Sequence, residues 1–145
     1  VTVALIDDQL LGQVLRGHVP ADLRAHELHT TGYWYVRLCQ AVLGAQGRAG
    51  ALSLPFRQLP EPLRERALRA VLELPAEIGL VSLRDLGPTI AQLRARHQLN
   101  ILGMEALAAA SRLEASVHLS APSPMLQRAL EQERLTVQVV PSDDG

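Results

Sequence analysis

The residues best suited to chemistry stand near the start of the chain, where Asp7-Asp8 closes the apolar run Val1 to Ile6. Adjacent carboxylates at the end of a strand, beside a helix N-terminus, could hold Mg²⁺ through one or two oxygens with water completing the shell. The plainer use is structural, and Asp8 is expected to cap the first helix. Asp7 is expected to face the crevice, with metal and structural roles both open. A second feature is Tyr33-Trp34-Tyr35, three of the chain's four aromatic residues in a row. Helical neighbours diverge by about 100°, so the three cannot share a direction. Tyr35 fits the apolar stripe, which leaves Tyr33 and Trp34 as a lid over a crevice, a dimer contact, or a stacking platform for a nucleobase with Arg37 nearby. No basic stripe accompanies them.

Other candidates lack a matching partner set. His18, His26 and His29 have no nearby cysteine to complete a zinc site. His97 and His118 lie on apolar elements and read as core or strand-edge residues. Ser120 and Ser123 have neither the glycine pattern of a nucleophile elbow nor an evident His–Asp set. Cys39 sits mid-helix on an apolar face, where a thiol acts as a small hydrophobe. The sequence has no G-x-G-x-x-G and no P-loop.

What must position these residues is one domain: 145 residues leave no room for two. Residues 1–140 form that domain and 141–145 a polar tail. Hydrophobic residues make up 48% and charged residues 20%, as in a folded chain. A single cysteine excludes an intrachain disulfide framework and a cysteine-based zinc cage. The net charge of −1 gives no bulk attraction to nucleic acid or an anionic membrane. The opening apolar run is too short for a signal segment, and no run approaches the ~20 residues that span a bilayer. A cytoplasmic location is expected.

The pattern alternates between short apolar runs and 3.6-residue stripes. A strand over 2–6 leads to a helix over 8–16 that Gly17 stops, and a short strand is placed near His26-Glu27-Leu28. Thr30 or Thr31 caps a helix over 32–43, with Tyr35, Leu38, Cys39 and Val42 inward. Residues 44–50 hold three glycines and form a loop. A helix over 61–74 turns Leu63, Ala67, Val71 and Leu74 inward. A strand over 78–82 precedes a helix over 83–97, whose start Pro88 draws towards Gly87. A helix over 101–113, a strand over 116–119, a helix over 124–133 capped by Ser123, and a strand over 135–140 complete the chain. Strands separated by helices pair in parallel, so the expected fold is a three-layer α/β/α sandwich around a mainly parallel sheet. Ligands of such folds bind beyond the carboxyl ends of the strands, where Asp7-Asp8, Ser82 and Ser120-Ala121-Pro122 would gather.

Val3-Ala4-Leu5-Ile6-Asp7-Asp8-Gln9 shares its acidic pair with response-regulator receiver domains. Those need a further Asp about 45 residues on and a Lys near the last strand, and this chain offers neither. Over nearly its whole length the chain instead resembles a PIN domain. The resemblance rests on Leu5-Ile6-Asp7-Asp8-Gln9-Leu10-Leu11, on Leu102 to Ala110, on Ala115 to Ala121, and on the closing Val137-Gln138-Val139-Val140. It implies a Mg²⁺- or Mn²⁺-dependent ribonuclease of the toxin–antitoxin kind, with three or four clustered acids activating water. Only Asp7 is kept. Tyr33-Trp34-Tyr35 stands where a Glu is expected, Gly103 where an Asp is expected with Glu105 two residues on, and Pro122-Ser123 where the last acid is expected. The resemblance therefore implies a PIN-like scaffold with a largely degenerate site that binds RNA or a protein partner, such as an antitoxin. The alternative is a ribonuclease using Asp7, Glu105 and Asp85, with metal at Asp7 and Asp8. A homodimer is implied by the family alone.

Overall fold

The computed structural model describes residues 2–44 and 50–140; most of the glycine-rich loop and the polar tail lie outside the described residues. Five strands form one sheet: β1 (Thr2–Ile6), β2 (His26–Thr30), β3 (Gly79–Leu80), β4 (Ser116–Leu119) and β5 (Val137–Val139). All pairings are parallel and the order is β3-β2-β1-β4-β5. Seven α-helices flank the sheet among the described residues: α1 (Asp8–Leu15), α2 (Gly32–Leu43), α3 (Leu54–Arg57), α4 (Glu61–Leu72), α5 (Leu83–Leu93), α6 (Ile101–Leu113) and α7 (Pro124–Gln132). The expected three-layer α/β/α sandwich is the fold found.

Strand side chains alternate between faces, so the sheet feeds two cores. Ala4 and Ile6 of β1 pack with Leu10, Leu11, Leu38, Phe56 and Val71 from α1 to α4. Leu5, Val117 and Leu119 pack on the other face with Leu86, Leu107 and Leu130 from α5 to α7. β1 is paired on both sides, and its last three residues are fully buried. The end of this strand, where Asp7 follows, is thereby held in the middle of the molecule.

Most helix starts have a chemical cause. Asp7, not Asp8, caps α1, accepting a hydrogen bond from the Leu10 amide at 3.0 Å. Asp8 is already the first helical residue, one position too late for that role. Thr31 caps α2 through the Trp34 amide, while Thr30 donates to the Ile6 carbonyl at 2.9 Å. Ser82 caps α5, which begins at Leu83 rather than near Gly87. Pro88 lies inside that helix, and the helix carries the missing amide bond because capping and packing fix its start upstream. Ser123 does not cap α7: its amide instead donates to Gln127 Oε1 at 2.7 Å. Gly17, at φ 98°, ends α1 in the left-handed region as expected.

Other departures follow from packing. Leu63 is exposed, and only Ala67 and Val71 of the α4 stripe are fully buried. α3 arises where a loop leads away from the glycines, and it seats Phe56 in the core beneath Arg16, 5.1 Å from the ring centre. α5 stops at Leu93, four residues short of His97. His97 is nevertheless buried, bonded to Glu133 at 2.7 Å beside the Arg96 ion pair. Arg96 and His97 hold the Glu133 carboxyl below its ordinary range. β3 is a two-residue edge whose Gly79 has the His29 ring where a Cβ would stand, 2.3 Å away, so a side chain there would have to displace that ring.

Candidate functional site

A cavity of about 590 Å³ opens at the carboxyl ends of the strands, where this class of sheet places ligands. Its polar wall includes Asp7, Asp8, Arg37 and Ser120, and its apolar wall includes Leu52, Leu102, Leu119 and Leu126. Trp34 closes one side.

Asp7 is nearly buried, and both its oxygens are engaged. Oδ1 accepts from the Leu10 amide, and Oδ2 accepts at 2.7 Å from both the amide and the hydroxyl of Ser120. A carboxylate holding three donors is satisfied without a cation. Ser120 was placed on this edge by the sequence, but its bond to Asp7 spans 113 residues and no local pattern signals it.

Asp8 is also buried; Oδ1 accepts from the Gln9 amide at 2.9 Å and Oδ2 meets Arg37 Nε at 3.1 Å. Burial, and then the charge of Asp7, push the Asp8 carboxyl above its ordinary range, although Arg37 pulls the other way. The single guanidinium, whose side chain is 56% exposed, does not offset the desolvation of Asp8 and the charge of its neighbour.

The remaining acids lie elsewhere. Glu105 is fully buried in α6 and accepts from the Tyr33 amide at 2.9 Å. It satisfies an open amide in the first turn of α2, where the helix dipole favours a negative charge. Its Oε2 has no hydrogen-bond partner and lies 3.2 Å from where a Cβ on Gly32 would be. Glu105 does not line the cavity. Asp85 is exposed in the first turn of α5 and does not line it either; Arg112 reaches only its backbone carbonyl. The Ser82 cap fixes Asp85 on this helix, so it does not join Asp7 as the ribonuclease alternative requires. Among the described residues no three His, Cys, Asp or Glu side chains form a metal-holding group. Two cations about 3.5–4 Å apart need several anionic ligands, and the residues lining this cavity do not fit such a pair.

The aromatic triplet divides three ways. Tyr33 is 36% exposed, Tyr35 packs against the α1–α4 core with its hydroxyl donating to the Val71 carbonyl, and Trp34, 4% exposed, joins the opposite core. Trp34 thus reaches past the strand ends to the α6 side, a placement that the apolar stripe of α2 does not signal. The Trp34 ring is packed and Arg37 is drawn to Asp8, so of the three readings of this triplet the nucleobase platform would need both displaced. Compared with known proteins, the sequence matches no family model and no curated protein.

Proposed function

We propose that this chain is a PIN-like domain acting by recognition rather than metal-dependent cleavage. The cavity at the strand ends is its recognition site, and a protein segment bearing a basic side chain is its ligand. The observation that carries this reading is the closure of Asp7 by Leu10 and Ser120, which uses for structure the acid a nuclease would give to a metal.

The charge of the wall supports a protein ligand over RNA. Among the described residues lining the cavity, Arg37 is the only cation, and it is paired with one of two carboxylates. A phosphate would meet that excess negative charge, whereas a guanidinium or ammonium would relieve it. The leucines beside it suit the apolar stem of such a side chain. Asp8, an acid buried against its own desolvation at the cavity wall, fits a binding role. An antitoxin-like partner belongs to this class.

Two titrations test the proposal. Calorimetry with Mn²⁺ should show no binding at millimolar metal; micromolar binding that disappears in Asp7→Asn overturns it. Trp34, the only tryptophan, lines the cavity and reports on its contents. Its fluorescence should respond to a short Leu- and Arg-containing peptide, and not to a single-stranded RNA oligonucleotide. The reverse pattern transfers the site to RNA.

A further inference from the structure

We draw no further inference here: the strongest candidate, the Asp22, His26, Ser116 and His118 cluster on the sheet face beside β5, forms no three-ligand metal group, and its Ser116 hydroxyl is already shared between His118 and the Val3 carbonyl.

Discussion

Asp7 and Asp8 are neighbours with opposite energetics. Asp7 has three donors, so its buried charge is compensated. Asp8 shares a single exposed guanidinium and its folded pKa is raised, so its ionised form works against folding. The favourable contribution of such a group is complete below its unfolded pKa, near 3.9, and is lost as pH rises through the folded value. Asp8→Asn should therefore be more stable than the native chain at pH 7. The advantage should shrink towards pH 3, as thermal melts across that range would show. A native chain that is the more stable at pH 7 contradicts this account. His118 carries the opposite sign. It is buried, its Nδ1 has no partner, and burial followed by the nearby His26 lowers its pKa, with Asp22 opposing. Folding favours its neutral form, so its contribution is complete above about pH 6.5 and lost as pH falls from there towards the folded value. Urea midpoints between pH 8 and pH 5 should fall on acidification, and His118→Gln should flatten that slope.

At the scale of elements, α2 is fixed at its start by side chains from two places: Thr31 in the preceding loop and Glu105 from α6. That makes Glu105 a support of the cavity wall, since α2 carries Trp34 and Arg37. Glu105→Ala removes the partner of the half-buried Tyr33 amide and leaves a void in the core, and should cost about 2–4 kcal/mol. Asp85→Ala, on the exposed face of α5, should stay within about 0.5 kcal/mol. Denaturant unfolding separates them, and equal effects would contradict the assigned roles. The alternation of elements was legible in the chain because strands such as β1, with Ala4-Leu5-Ile6, are short and apolar while the longer helices carry their own stripes; β2, His26-Glu27-Leu28-His29-Thr30, and the four-residue α3 carry neither signal. The N-cap of α1 was misplaced by one residue, since either acid of the pair could cap and the choice rests on which one the Leu10 amide meets in the fold. The role of Glu105 was not legible, because a single acid among alanines carries no sign of the amide it meets 72 residues away. Asp7 was readable as the residue facing the crevice. What it faces, Ser120, was set by the pairing of β1 with β4.

For the whole molecule, the sheet separates two cores, and cooperativity depends on what crosses between them. β1 contributes Ala4 and Ile6 to one core and Leu5 to the other, so neither can loosen without affecting the central strand. Trp34 adds a second link: α2 belongs to the first core through Leu38 and to the second through this indole. Asp7 adds a third, joining the start of α1 to Ser120 beyond β4. These links all meet at the strand ends, so the cavity is built where the two cores are tied together. Its walls therefore cannot be a separately unfolding lid. The expectation is a single transition. Trp34 fluorescence, which reports on the cavity wall, and far-UV circular dichroism, which reports on all the helices, should give superimposable urea curves. Ser120→Ala should move both by the same amount, because the bond it removes belongs to the shared link. A fluorescence transition that precedes the dichroism would mean that α2 and the cavity open while the sheet persists. In that case the proposed recognition site would be a locally ordered surface that a ligand completes, not a preformed one.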